Sequence, residues 1–255
     1  MIERARLACL HSGSPTAASA FDELNDRHRF VPPDEADVIV ALGGDGFMLH
    51  VLHQYLGNDV AVYGMNRGTV GFLMNEYRPG HLTDRVTTAT EERIVPLRAL
   101  ATTVAGEQHE LIAINEVSLI RSSVQAAKLR IFINEVERLE QLTCDGLLCS
   151  TPAGSTAYNL SARGPVVPLG SGLMALTPVS PFRPRRWHGA LVPHDACIRI
   201  DVLDPGKRPV AAGADSREIR EVAHIEIGEA SDMTIRVLFD PGHSLEERIL
   251  TEQFE

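Results

Sequence analysis

An unbroken apolar run, Val38-Ile39-Val40-Ala41-Leu42, leads directly into Gly43-Gly44-Asp45-Gly46 and then into a helical pattern from Phe47 to Leu56. A strand with no polar alternation must be covered on both faces, and the usual solution is a parallel sheet sandwiched by helices. A second run of this kind, Val60-Ala61-Val62-Tyr63, also ends in a glycine loop, Gly64-Met65-Asn66-Arg67-Gly68-Thr69-Val70-Gly71. Upstream, Leu7 to Leu10 forms a short strand closed by His11-Ser12-Gly13-Ser14, and Pro15 opens a helix toward Arg29. The alternation predicts a Rossmann-like α/β domain. In open sheets of that type, ligands sit at the carboxyl ends of the strands, where both glycine loops lie.

From about Ile94 the pattern changes to short strands separated by turns: Leu97 to Val104, Leu111 to Ile114, Val117 to Ile120, and Lys128 to Ile133 with period-two alternation. This segment predicts an antiparallel, β-rich domain. Pro241-Gly242 breaks the last strand, and Ser244-Leu245-Glu246-Glu247 reads as a capping box opening a terminal helix. The first sheet needs cover, so that helix is expected to cross back to it. The expected division is residues 1–95 with 241–255 as an α/β domain and 96–240 as a β-rich domain, an α/β plus all-β fold.

A chain of 255 residues can bury a sizeable core. A net charge of −10 opposes non-specific attraction to nucleic acid or an anionic membrane, so neither is an expected partner. Cys9, Cys144, Cys149 and Cys197 show neither a C-x-x-C pair nor a histidine at zinc spacing, and read as buried thiols in a reducing compartment. No stretch reaches the ~20 apolar residues that span a bilayer. A cytoplasmic enzyme is expected.

Two segments could carry chemistry. In Gly43-Gly44-Asp45-Gly46 the glycines let backbone N–H groups approach a phosphate, and the following helix adds its positive end. Asp45 would repel a bare phosphate; it suits proton abstraction from an attacking hydroxyl, a share in holding magnesium, or plain helix capping. The second segment runs from Cys144-Asp145-Gly146 through Ser150-Thr151-Pro152-Ala153-Gly154-Ser155-Thr156-Ala157-Tyr158-Asn159-Leu160-Ser161. A strand over Leu147 to Cys149 stops at Pro152 and Gly154, and a short helix begins near Ser155 or Thr156. Its hydroxyls, small residues and one aromatic suit a purine, or else simply cap the helix.

These residues, with the Gly64-x-Asn66-x-Gly68-x-x-Gly71-Phe72-Leu73 loop and Asn115-Glu116, occur together and in the order found in the NAD kinases of bacterial type, which the chain resembles over residues 38–168 and more weakly outside them. The resemblance implies Mg2+-dependent phosphoryl transfer from ATP, or another donor, to the 2′-hydroxyl of the adenosine ribose of NAD, the divalent ion being held mainly with ATP and no protein side chain assigned to it. It implies Asp45 as general base, with Gly43, Gly44 and Gly46 at the phosphates and His50 near the substrate. Asn115 and Glu116 are similar to an Asn-acid pair whose amide reads adenine and whose carboxylate meets ribose hydroxyls. Asp145 resembles an aspartate at the nicotinamide ribose; Ala153 and the run Thr156, Ala157, Tyr158, Asn159, Leu160 and Ser161 resemble the adenine-binding turn. A homodimer or homotetramer, in which one subunit's loop completes another's site, is the implied assembly.

The sequence departs from the family pattern at three places. Phe47 stands where Thr commonly follows the glycine motif, Ala153 where Thr is frequent, and Arg163 where Gly is frequent. Two rival functions are a lipid or sphingoid-base kinase, which needs an apolar pocket instead of the hydroxyl-rich turn, and a non-catalytic NAD-sensing module, which would not need Asp45. Ser180-Pro181-Phe182-Arg183-Pro184-Arg185-Arg186-Trp187-His188 reads as a solvated loop or, with its basic residues and aromatic, as one that closes a site from a neighbouring subunit; Asp215 reads as a turn residue, and His194, His224 and His243 carry no functional expectation.

Overall fold

The computed structural model describes residues 5–68, 71–243 and 245–252. The chain begins β1 (Leu7–His11), α1 (Pro15–Asn25), β2 (Val38–Gly43), α2 (Asp45–Gln54), β3 (Ala61–Asn66), α3 (Leu82–Thr88) and β4 (Thr90–Ile94). It continues through β5 (Leu97–Thr103), β6 (Gln108–Ala113), β7 (Glu116–Arg121), β8 (Ala127–Ile133), β9 (Val136–Cys144), β10 (Gly146–Ser150), α4 (Tyr158–Ser161) and β11 (Leu173–Val179). It ends with β12 (Ala190–Pro193), β13 (Ile198–Val202), β14 (Val210–Ala214), β15 (Arg217–Ile219), β16 (Val222–Glu229), β17 (Ile235–Phe239) and α5 (Leu245–Glu252).

These elements fall into two compact units, residues 1–94 with 233–255 and residues 95–232. The first holds a five-stranded sheet in the order β1-β2-β3-β17-β4. β1, β2, β3 and β17 run parallel, and β4 pairs antiparallel with β17. Every residue of β2 is buried, as its unbroken apolar run requires. α1 starts where expected: Ser14 caps it, its hydroxyl accepting from the Ala17 amide at 3.3 Å with proline at the first position. It ends at Asn25, short of Arg29, because the amides of Arg27 and His28 both fold back onto the Leu24 carbonyl.

One expected boundary needs correcting. The first unit resumes at residue 233, not 241, because β17 pairs with β3 and β4 in the middle of the first sheet. Short apolar strands look alike in sequence whichever sheet they join. The terminal helix does belong to the first unit: Leu245 is fully buried, and its amide donates to Glu92 Oε1 at 2.9 Å. Ser244, the expected cap residue, lies outside the described residues.

The second unit contains two six-stranded antiparallel sheets, β12-β11-β10-β7-β14-β15 and β6-β5-β16-β13-β8-β9. Their inner faces share one core, to which β5 contributes Leu97, Ala99 and Ala101 and β7 contributes Val117 and Leu119. Cys144 and Cys149 are buried as expected, with burial pushing both thiols up to about 12; Cys9 is only partly covered and Cys197 is exposed on this unit's surface. Cys197 corrects the expectation of four buried thiols.

Candidate active site

In the first unit, β2 delivers Gly43-Gly44-Asp45-Gly46 to its carboxyl end. Gly44 caps α2, which therefore starts at Asp45 instead of Phe47, the Met48 amide donating to the Gly44 carbonyl at 2.9 Å. Open space surrounds the Cα atoms of Gly44 and Gly46, so a ligand can reach this backbone closely. Phe47 lies over Gly43: a Cβ there would meet the Phe47 ring at 2.8 Å. His50 is exposed one turn further on, its ring centroid 6.3 Å from that of Phe47.

Asp45 does not cap α2 through its carboxylate. Its oxygens accept instead from the second glycine loop, Oδ2 from the Phe72 amide at 2.7 Å and Oδ1 from the Leu73 amide at 3.0 Å. Gly71 allows this approach, since a Cβ there would lie 2.7 Å from the Asp45 Cγ and 2.8 Å from Oδ2. An ionised carboxylate has about four acceptor positions, so two amides orient it without exhausting it. The outer side of the same loop is held from α5. Nη1 of Arg248 faces the carbonyls of Gly71 (2.9 Å), Phe72 (3.1 Å) and Met74 (2.5 Å), and Nε donates to His243 at 3.2 Å. Burial lowers the Arg248 pKa from its ordinary value, and nearby Asp45, Asp240 and Glu92 offset part of that effect.

Next to this loop is a cleft of about 960 Å³ lined in part by Asn66, Gly71, Tyr77, Arg85, Asp240 and Arg248. Its floor is braced by Asn75, whose side-chain amide donates to Gly64 and Leu238, each at 3.0 Å, while Oδ1 accepts from the Asp240 amide at 2.8 Å. The bonds tie β3 to β17 where both end. Asp240 also pairs with Arg85 and accepts from the Tyr63 hydroxyl at 2.6 Å.

In the second unit, the turn after β10 packs against Ile114 and Asn115. Thr151 donates its amide to the Asn115 carbonyl at 2.9 Å and its hydroxyl to Ile114 at 2.8 Å, and a Cβ on Gly154 would overlap the Asn115 backbone. The expected short helix is divided into a 3-10 turn over Ala153–Thr156 and the four-residue α4, with Ala157 at φ −91° and ψ −127° between them. Ala153 and Thr156 are buried, Ala157 and Leu160 half-buried, and Tyr158 and Ser161 exposed. The side chain of Asn159 is committed to bonds within the turn and to Thr177. It is fully buried, donating to Ser155 and Pro165 at 2.9 Å each and accepting from the Thr177 hydroxyl at 2.6 Å, and so braces the turn from beneath. Sequence reasoning grouped it with its neighbours because four residues of helix show no face.

Asp215 is a turn residue, at φ 47°, but it does more. Its carboxylate accepts from the amides of Ile114 (2.7 Å) and Asn115 (3.0 Å), placing the Asn115-Glu116 pair. Nothing in Gly213-Ala214-Asp215-Ser216 separates this role from an ordinary turn. Burial, and then the charge of Asp215, push the Glu116 carboxyl up to about 7, against a smaller opposing bond from the Tyr158 amide. Glu116 Oε2 is buried with no hydrogen-bond partner among the described residues. A buried acceptor of this kind is costly unless a ligand donor meets it.

Asp145 is placed differently. It precedes β10 and pairs with Arg121 Nε at 2.6 Å, whereas Thr151 to Ser161 follow the strand. Six residue steps along an extended chain put the two ends about 20 Å apart, so a ligand meeting both in one chain must extend along β10. In the 180–188 segment, Phe182 is exposed beneath the guanidinium groups of Arg183 and Arg185, and Trp187 packs on the unit's core. His194 pairs with Glu229 at 3.2 Å.

Comparison with known proteins places these features in one group. The ATP-NAD kinase N-terminal domain model matches residues 6–94, and the ATP-NAD kinase C-terminal domain model matches residues 114–227. An NAD kinase of Mesorhizobium japonicum is 53% identical over 97% of this chain and 96% of its own length. One from Cereibacter sphaeroides is 53% identical over 98% of each. In fold, the chain is similar to yeast NADH kinase complexed with NADH (TM-score 0.84, 20% identity, 99% of this chain and 88% of that one). It is also similar to an NAD kinase from Archaeoglobus fulgidus in complex with ATP (TM-score 0.72, 24% identity, 98% and 97%).

Proposed function

Because the chain belongs to the ATP-NAD kinase family, we propose that it moves the γ-phosphoryl group of ATP to the 2′-hydroxyl of the adenosine ribose of NAD, with Asp45 as general base. The observation that carries this reading is the placement of Asp45: a carboxylate at the start of α2, oriented by two amides, beside glycines whose backbone is open to a ligand. Backbone N–H groups at Gly44 and Gly46 and the positive end of α2 receive phosphate oxygens. Asp45 accepts the 2′-hydroxyl proton as the ribose oxygen bonds to the γ-phosphorus and the bond to the β-γ bridging oxygen breaks, releasing ADP.

Among the described residues no three His, Cys, Asp or Glu side chains converge as a metal site. A single carboxylate, Asp45, fits an ion carried mainly by the triphosphate. Magnesium bound there would neutralise charge developing on the phosphates.

In the second unit, Glu116 accepts from ribose hydroxyls, the Asn115 amide reads the adenine edge, and Thr156 and Tyr158 line the base, with Asp145 toward the nicotinamide ribose. His50 serves the substrate near the phosphates. The assembly is a homodimer or homotetramer, and the setting is the cytoplasm. No helix among the described residues is long and apolar enough to cross a membrane.

The test is NADP formation from NAD, magnesium and, in turn, ATP, other nucleoside triphosphates and polyphosphate. We expect turnover with ATP. Asp45→Asn should lower turnover by ~10²-fold or more while NAD still binds. Turnover within a few-fold of wild type would remove Asp45 from the role of base.

A further inference from the structure

The aspartate assigned as base is not positioned by its own helix alone. Phe72 and Leu73 give it two amide donors, so its direction depends on where residues 71–74 lie. Those residues are held on their other side by one guanidinium, Arg248, which faces the carbonyls of Gly71, Phe72 and Met74. A carbonyl and the amide of the next residue share one rigid peptide plane. The Gly71 carbonyl held by Arg248 and the Phe72 amide received by Asp45 are the two sides of one peptide unit. The Phe72 carbonyl and the Leu73 amide are the two sides of the next. Both planes are thus gripped between an anion and a cation that do not touch each other through a direct bond.

We propose that Arg248, returned to the first unit by the terminal helix, is a positioning residue for phosphoryl transfer: it fixes two peptide planes whose amides aim the Asp45 carboxylate. The proposal rests on the reading of Asp45 as base. Removing the guanidinium leaves the 71–74 backbone free to rotate those planes, and Asp45 loses its alignment to the ribose hydroxyl without losing its charge. Misplacement of a reacting group by about 1 Å can cost ~10²-fold in rate. The NAD-contacting residues of the second unit are not altered, so substrate affinity should hold.

Arg248→Ala and Arg248→Lys in the full-length protein test it through steady-state kinetics for NAD and ATP, amide hydrogen exchange over residues 71–74, and thermal unfolding. Arg248→Ala should lower kcat by ~10–10²-fold with KM for NAD within about threefold, and exchange at Phe72 and Leu73 should rise. Lysine retains a cation with three donors, so Arg248→Lys should recover much of the lost kcat, which a role confined to helix packing would not require. Gly71→Ala attacks the same alignment from the other side by crowding the carboxylate, and should reproduce the kcat loss; it decides the matter if Arg248→Ala does not fold. Wild-type kcat in folded Arg248→Ala, or in Gly71→Ala, overturns the proposal. If Asp45→Asn itself retains turnover, the assignment of the base fails instead, and the two failures are thereby distinguished.

Discussion

If Glu116 meets the ribose hydroxyls as proposed, NAD use should be sensitive to pH. With its pKa pushed up to about 7, Glu116 is largely protonated in mild acid and ionised in mild base. An ionised carboxylate accepts from both ribose hydroxyls, whereas a protonated one has a competing donor. KM for NAD should therefore fall as pH rises through about 7, and Glu116→Gln should flatten that dependence; an unchanged profile in the variant would assign it to another group. Folding stability has the opposite sign. The folded carboxyl holds its proton above the ordinary glutamate value of 4.5, so stability is fully present below that pH and declines as pH rises through about 7. Asn115 gives a second test at this scale. Its backbone is fixed by Asp215 and Thr151, so its half-exposed amide is presented in a defined place. The hypoxanthine analogue of NAD, which replaces the adenine amine with a carbonyl, should lose about 1–3 kcal/mol in kcat/KM. Asn115→Ala should shrink that difference, and equal efficiency for the two compounds in the wild-type protein would rule out adenine reading here.

At the scale of elements, the turn after β10 contains a residue in the wrong backbone region for its side chain. Arg163 follows α4 at φ 63°, its amide donating to the Leu160 carbonyl at 2.8 Å, a left-handed helix end where glycine is favoured. Glycine's frequency at this place in the family thus has a backbone cause, and no role of Arg163 in binding is needed to explain the site. Arg163→Gly should stabilise the protein by up to about 1 kcal/mol, measured as denaturant midpoint, with KM for NAD unchanged. The elements that sequence reveals well are those with strong local signals: β2, whose unbroken run reports burial on both faces, and α1, marked by Ser14 and Pro15. What stayed hidden depends on distant partners. Asp215 and Arg248 act on backbone about 100 and 175 residues away, and a bond to a carbonyl or amide leaves no mark in the identity of the residue that supplies it. Asn159 shows the converse: it sits inside a recognisable motif, yet its amide braces the motif from within.

For the molecule as a whole, the first unit is discontinuous in sequence and the second is continuous. A protein ending at Asp232 would lack β17 and so leave β3 and β4 without the strand between them. One ending at His243 would keep the whole sheet and lose α5 with Arg248. The protein ending at Asp232 should therefore lose the cooperative unfolding of the α/β unit, while the one ending at His243 should retain it at reduced stability, as followed by hydrogen exchange in β2 and β3. Equal protection of β2 in both would show that β17 is dispensable to the sheet.

The late arrival of β17 also governs events on the ribosome. β3 ends at Asn66, and its partner begins at Ile235. At roughly 5–20 residues per second, a nascent chain waits roughly ten to thirty seconds between making one and the other. Throughout that interval the parallel edge at Ala61 and Val62 has no neighbour on one side, and the β-rich unit, whose β16 spans Val222–Glu229, can close only near its end. An unpaired apolar edge is an invitation to other nascent chains. The order of synthesis thus makes the oldest part of the protein the last to be finished, and its exposure to aggregation is set by translation speed through the segment between them.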